Sequence, residues 1–452
     1  MNLLIKDTHF GIADFTKEEK KIIDEKFTFI DYSNAMSKSG FNERKVKKVN
    51  FAITNKNLIA LRTGFLQDFV FLAKSHKFNI TEIKDERTKF DFQKVEYKDE
   101  DLRKYFNPDF KYVNHQIRSL KALLKTNVGI IKAPTSSGKT EIIIGYLKIT
   151  NLPTLILVDN VTLAIQTQAR IEETGLSCGI CTGTGKKDGY NVVSTIGSVK
   201  KLNLHNFKCV IVDECHIVGS ARFQEFFSNT SYPLRFGFSA TPEGNDKYRF
   251  ATIKQHIGGV ISEISSEELI KNDVMTPPEI HFIRIENCIP TPEWESSYDI
   301  NIVNNELRNA KIAELANNSE YSTLVLYKII EHGEKLLKLI PGAVMLSGNN
   351  SPSEREEVIK KFKNGEIRVI IASNIFKQGI SINNIEMLII ASGGKSKIEV
   401  LQKIGRALRK HPGKDVALIY DFFDDGNKFT KKHSHERYEL YKKAGYDNII
   451  FE

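Results

Sequence analysis

Residues 128–140 read VGIIKAPTSSGKT: an apolar run, a loop of small and hydroxylated residues, and a lysine–threonine pair that opens a helix-like stretch, TEIIIGYLKI (140–149). A strand that feeds such a loop into a helix aims successive backbone N–H groups and a helix N-terminus at one point, which is the chemistry of phosphate binding. Gly138 allows close backbone approach, Lys139 reaches the β- and γ-phosphates, and the Thr140 hydroxyl suits Mg²⁺. Thr135, Ser136 and Ser137 form the body of the loop. It begins with Ala133 where the strictest pattern has glycine.

Downstream, LPTLILVD (152–159), YNVVST (190–195), FKCVIVDE (207–214) and LRFGFSAT (234–241) repeat the strand-like pattern between helix-length segments. A second series follows with STLVLY (322–327), IRVIIAS (367–373), IEMLIIAS (385–392) and DVALIYD (415–421). Strands that are apolar throughout belong to parallel sheets covered on both faces. The expectation is α/β with two doubly wound lobes, at 101–275 and 276–452. Pro277, Pro278, Pro290 and Pro292 mark a linker around 262–292. Residues 1–100 lack this rhythm and read as a small, separate N-terminal α+β domain, in which Arg44, Lys45, Lys47 and Lys48 could touch phosphate. The C-terminal KKHSHERYELYKKAGYDN reads as a basic helix.

The 452 residues leave room for several cores, and 41% apolar against 27% charged residues excludes a disordered chain. Sixty-five Lys and Arg against 56 Asp and Glu give a net charge of +9, which favours a polyanionic partner. No stretch suits a membrane span and the N-terminus lacks a secretory pattern, so the expected location is cytoplasmic, in the host cytoplasm if the gene is a phage's. Five cysteines make no disulfide framework. Cys178 and Cys181 form a C-x-x-C, but Cys209 and Cys215 fall in a strand and the motif after it, a poor second pair for zinc.

CVIVDECH (209–216) ends an apolar strand in two carboxylates, at the strand edge where open α/β sheets bind ligands. Beside a phosphate loop, Asp213 suits Mg²⁺ and Glu214 suits a general base for an attacking water. Together APTSSGKT, VDECH, FSATP (238–242) and LQKIGRALRK (401–410) resemble, in order and spacing, the superfamily 2 helicases and translocases. The resemblance covers roughly residues 110–425. It implies two RecA-like lobes, ATP with Mg²⁺ as cofactor, and nucleic acid as partner.

Carried over position by position, the resemblance implies that Gln116 recognises adenine, that His216, Ser239, Ala240, Thr241 and Gln402 couple nucleotide to nucleic acid, and that Gly379 lies near the γ-phosphate. Arg406 and Arg409, three apart in Q-x-x-G-R-x-x-R, would act as arginine fingers. Gln166, Thr195, Ser347, Gly348 and Ser373 are the implied DNA contacts, gripping phosphate without reading sequence. Ser373-Asn374 and Ser381 stand where many relatives carry Thr-Asp and Asp. That variant, with SKIEVLQKIGRALRK, is similar to the UvsW-type phage recombination helicases and to the translocating lobes of restriction enzymes. The expected function is an ATP-dependent DNA helicase or translocase acting as a monomer on branched or duplex DNA. An RNA helicase and a motor subunit of a larger DNA-translocating complex are the alternatives.

Overall fold

The computed structural model describes the chain apart from residues 33–35, 38–39, 42–45, 245, 374–383, 395–403, 406 and 412. It divides into two compact units, Met1–Ala133 with Gly138–Glu263, and Ile264–Glu452 with Pro134–Ser137.

In the first unit the main sheet has eight strands, in the order Lys186–Lys187, Cys178–Cys181, Asn191–Thr195, Thr154–Val158, Cys209–Asp213, Leu234–Ser239, Val128–Lys132, Val260–Glu263. All neighbours are parallel except the terminal Cys178–Cys181/Lys186–Lys187 pair. Every residue of Thr154–Val158 and Leu234–Ser239 is buried, as strands covered on both faces require. Ile130, Leu155, Leu157, Val210 and Val212 pack into one core with Phe223, Phe226 and Phe227 from the helix Ala221–Ser228.

The expectation that residues 1–100 stand apart is corrected. They carry their own five-stranded sheet, Ile53–Asn55, Leu58–Arg62, His9–Ala13, Asn2–Ile5, Glu82–Asp85, yet cluster with the first lobe. Ala251 of the lobe joins the core of Phe10, Ile12, Ile59 and Phe69, and Lys254 Nζ pairs with Asp68 Oδ2 at 2.6 Å. A Cβ on Gly64 would meet the carbonyl oxygen of Lys254 at 1.9 Å, so the two layers touch backbone to backbone. The joint is invisible in the sequence because its residues are ordinary apolar and charged types spread over two distant segments.

The second unit holds a wholly parallel seven-stranded sheet, Val344–Leu346, Val369–Ser373, Thr323–Tyr327, Met387–Ile389, Ala417–Asp424, Pro278–Ile285, Ile449–Phe451. Pro278–Ile285 lies inside the stretch expected to be linker. Pro278 is its first residue, a position a proline tolerates even in a well-paired strand. The C-terminal helix spans Lys428–Lys443, and the strand Ile449–Phe451 then returns to the sheet. Among the described residues no helix is long and apolar enough to cross a membrane.

Candidate functional site

Three neighbouring strands of the first sheet bring the motifs to one edge. In register, Lys132 pairs with Ser239 and Asp213 with Phe238, so the phosphate loop, the Asp-Glu pair and the Ser-Ala-Thr segment all leave the sheet at its carboxyl side. The Ala133 N–H donates to Ser239 O at 2.9 Å, which fixes the first loop residue to the third motif.

Gly138 caps the helix Lys139–Thr150 with φ of +77°, in the left-handed region that glycine occupies without strain. A Cβ there would stand 2.0 Å from Nε2 of Gln116, so the loop and the glutamine share a space only glycine leaves open. Gln116 is buried in the helix Asn114–Lys125, and its Oε1 makes no hydrogen bond. Ser136 is also left-handed, at φ +71°. Ser137 Oγ donates to Pro134 O at 2.8 Å. Thr135, Ser136 and Ser137 cluster with the second unit, where Ser136 Oγ lies 3.3 Å from both Gly405 O and Arg409 Nε.

Lys139 Nζ donates to Glu214 Oε1 at 3.1 Å, with both side chains largely buried. Burial opposes the lysine's charge, but Glu214 and Asp213 outweigh it and hold its pKa above the ordinary value. The two carboxylates are driven apart. Burial pushes Asp213 up, against the pull of Lys139 and with the help of its negative neighbour. Glu214 is held well below the carboxylate range because Lys139 and His216 overcome its own burial. A pair of carboxyl groups split in this way marks a site built for distinct roles. Glu214 sits at φ +51°, a left-handed conformation that costs a non-glycine residue about 1–2 kcal/mol, and its N–H donates to Asp213 Oδ1 at 3.0 Å.

His216 Nδ1 lies 3.2 Å from Ser239 Oγ and 3.3 Å from Glu214 Oε2, and the Thr241 N–H donates to Ser239 Oγ at 3.2 Å. The predicted coupling residues His216, Ser239 and Thr241 are thus one connected set, with Ala240 between them in the chain. Arg249 is a residue that the motifs do not reveal. Its Nη2 donates to His216 O at 3.2 Å and steadies the turn Cys215–Gly219, and nothing about an arginine 33 residues downstream signals that.

The implied DNA contacts also lie at carboxyl edges. Thr195 ends its strand beside Val158, after which the helix carrying exposed Gln166 begins, capped by Asn160 accepting from the Leu163 N–H at 3.0 Å. Thr195 Oγ1 donates to Ser198 Oγ at 3.1 Å, so it also serves its own turn. In the second unit Ser347 and Gly348 follow the strand Val344–Leu346, whose neighbour ends in buried Ser373. Arg355 Nη2 donates to Ser347 O at 3.3 Å and Gly348 O at 3.1 Å, and the capping box Ser351/Glu354 places it. That box, SPSE, is the one sequence signal that points toward this arginine. Arg409 is half-buried, and desolvation lowers its pKa. Its backbone bridges to Met275. Gly379, Ser381, Gln402 and Arg406 lie outside the described residues, as do Arg44 and Lys45; Lys47 and Lys48 are exposed on the strand Lys47–Asn50. Cys178 and Cys181 are buried within one strand, and burial pushes the Cys178 thiol up to about 12.

Two family models match: "Type III restriction enzyme, res subunit" over residues 109–244 and "Helicase conserved C-terminal domain" over 305–411. The chain is a superfamily 2 helicase. Its relatives include the ATP-dependent DNA helicase uvsW of Enterobacteria phage T4, 28% identical over 71% of this chain and 70% of that protein. The DNA 3'-5' translocase XPB2 of Sulfurisphaera tokodaii is 25% identical over 68% of this helicase and 80% of that protein. A protein of Sulfolobus islandicus filamentous virus with a provisional helicase name is 27% identical, and this chain spans 66% of its length, just under two thirds. Among solved structures, the Type ISP restriction-modification enzyme LlaBIII bound to DNA matches with a TM-score of 0.57 at 14% identity, covering 85% of this helicase and 34% of that chain. Saccharomyces cerevisiae Dbp5 bound to RNA and ADP BeF3 matches with a TM-score of 0.53 at 17% identity, over 75% and 89%. These likenesses establish the two-lobed RecA-like fold.

Proposed function

We propose that this helicase couples ATP hydrolysis to translocation on DNA and uses it to remodel branched molecules such as forks and recombination junctions. The observation that carries the ATPase reading is the Lys139–Glu214 pair beside Asp213, linked through His216 to Ser239. The orphaned Oε1 of Gln116 and the space kept open at Gly138 fit a nucleotide there. Lys139 and the loop N–H groups would hold its phosphates, Gln116 its base, and Thr140 and Asp213 an accompanying Mg²⁺, which supplies charge neutralisation at the phosphates.

Glu214, kept ionised chiefly by Lys139 beside it, acts as the base that takes a proton from water. Lys139 is shared between that base and the phosphates, so the same side chain reports nucleotide occupancy to the residue that does the chemistry. His216 and Ser239 carry the change on to the Thr241 segment. Arg409, with Arg406, stabilises charge developing on the transferred phosphoryl group. The DNA-named relatives support DNA over RNA, and the departures at Ser373 and Ser381 support the UvsW-like branched substrate.

The test is ATP hydrolysis by the purified chain, with Lys139→Ala as control, on single-stranded, duplex, forked and four-way DNA and on matched RNA at fixed salt. Greatest stimulation is expected with forked or four-way DNA. Stimulation by RNA alone would overturn the substrate assignment.

A further inference from the structure

The motor chemistry occupies the carboxyl edge of the first sheet, but a built cavity lies at the opposite edge of the same unit. Its volume is about 850 Å³, and it is lined by residues just before three strands, Leu152, Lys208 and Pro233, and by Asp7, His9 and Arg62 from the N-terminal layer. His9 and Arg62 face each other in register on adjacent strands. They occupy the sheet face turned away from the core, since Phe10, Ile12, Ile59 and Leu61 fill the other.

The charge in this cavity is lopsided. Asp7 is its one acidic lining residue among those described, and its carboxylate is already taken: the Thr88 N–H donates to Oδ1 at 2.8 Å and Thr88 Oγ1 to Oδ2 at 2.7 Å. Directly behind stands Arg235, 3% exposed, whose guanidinium donates to carbonyls: His256 O at 2.6 Å, Asp7 O at 2.8 Å and Tyr232 O at 2.5 Å. A buried guanidinium bound to dipoles instead of a carboxylate leaves a net positive potential, focused by the low-dielectric wall around it. Arg62 adds a second, half-buried guanidinium that forms no ion pair among the described residues, and Lys208 extends the charge along the exposed rim. Burial, and then the two arginines, lower His9 to about 4, so that it stays neutral at pH 7 and is free to gain a proton beside an anion.

The geometry points to a second phosphate-binding site, on the side of the first unit away from the nucleotide, that takes the phosphodiester backbone of the DNA on which the motor acts. The inference rests on the DNA reading above. A polyanion is favoured over a single phosphate because the charge continues out of the cavity onto exposed Lys208 at the rim. Such a contact positions a strand without reading its sequence, and it would tie the N-terminal layer to the DNA while the ATPase lobes cycle.

The full chain is titrated onto labelled forked DNA across a salt series, as wild type, Arg62→Gln and Lys208→Gln. A parallel titration with inorganic phosphate follows the His9 ring resonance by NMR in ring-labelled protein. Expected are about 5- to 20-fold weaker DNA binding for Arg62→Gln at about 100 mM salt, a salt slope shallower by about one, a smaller loss for exposed Lys208→Gln, and DNA-free ATP hydrolysis at the wild-type rate. His9 should move with both phosphate and DNA. Unchanged affinity and slope in both variants would overturn this site while leaving the DNA reading intact. A His9 response to phosphate but not to DNA would make it a free-anion site and overturn the backbone assignment. No DNA binding by the wild type at all would overturn the DNA reading and this site with it.

Discussion

Two clusters of buried charge sit at the heart of this helicase, one in each unit, and they are built on opposite terms. In the second unit Arg437 is fully buried and saturated: Nε donates to Asp421 Oδ2 at 2.9 Å, Nη1 to Gly394 O at 2.7 Å and Nη2 to Phe422 O at 2.7 Å, while Tyr441 Oη donates to the same carboxylate oxygen. Arg308 pairs with Asp424 at 2.7 Å, donates to Ala391 O at 2.8 Å and lies 4.4 Å over the Phe422 ring, with its Nη2 left without a hydrogen bond. In the first unit two carboxylates share one lysine, Glu214 Oε2 meets His216 Nδ1 at 3.3 Å, and Glu214 itself is held in a left-handed backbone. An ion pair as fully bonded as Arg437–Asp421 organises a fold; two carboxylates that share one lysine, one of them on a strained backbone, suit a ligand and a reaction.

The comparison can be broken most decisively at Lys139. Lys139→Ala should reduce ATP turnover by at least about three orders of magnitude with the thermal midpoint little changed, read by steady-state hydrolysis and calorimetry. Glu214→Gln should lower kcat by roughly 10²–10⁴ while nucleotide affinity stays near wild type. Hydrolysis at the wild-type rate would mean that the base lies elsewhere.

The opposite pattern is expected in the second unit. Arg437→Met should cost about 3–5 kcal/mol by stranding buried Asp421, measured by urea denaturation, with ATP turnover per folded molecule retained. If its stability loss fell below about 1 kcal/mol, the saturated cluster would be ornamental and the contrast would fail.

Protonation sharpens the same contrast at smaller amplitude. Burial, and then nearby cations, lower His332 to about 3, and burial and nearby arginines do the same for His256. Their folded pKa values lie below the unfolded value near 6.5, so the unfolded chain takes up the proton first. Stability is full above about pH 6.5 and falls toward about pH 3, by up to about 1.4 kcal/mol per pH unit for each histidine. The denaturation midpoint should therefore drop between about pH 7 and 5, and His332→Gln should flatten that limb. Smallest of all, Ser239→Ala should leave DNA-free hydrolysis within about threefold of wild type and blunt its stimulation by DNA, because it removes the link to His216 and not the chemistry.

Much of the fold and of the candidate site is legible in the amino-acid sequence, for physical reasons that differ by element. The phosphate loop is readable because backbone approach demands glycine at 138 and charge demands lysine at 139, whatever the surroundings. The uniformly apolar runs 154–158, 209–213 and 323–327 suit only parallel strands covered on both faces. Pro278–Ile285 reads wrongly as linker because a proline signals a break along the chain, whereas what matters is whether its position in the sheet requires an N–H. Arg249 and Arg355 escape because they act through backbone carbonyls, which any residue can present.

Sequence alone determined the fold class and the superfamily 2 resemblance, and singled out Lys139, Asp213 and Glu214 as candidates, since those follow from local chemistry at fixed spacing. Only the tertiary structure decided that the two carboxylates titrate apart, that His216 meets Ser239, that the N-terminal sheet packs onto the first lobe, and that Arg62 lines, and buried Arg235 backs, a cavity at the sheet's far edge. Those properties depend on burial and on contacts between residues tens to hundreds of positions apart, and a chain carries no local record of which of its distant parts will share a low-dielectric neighbourhood.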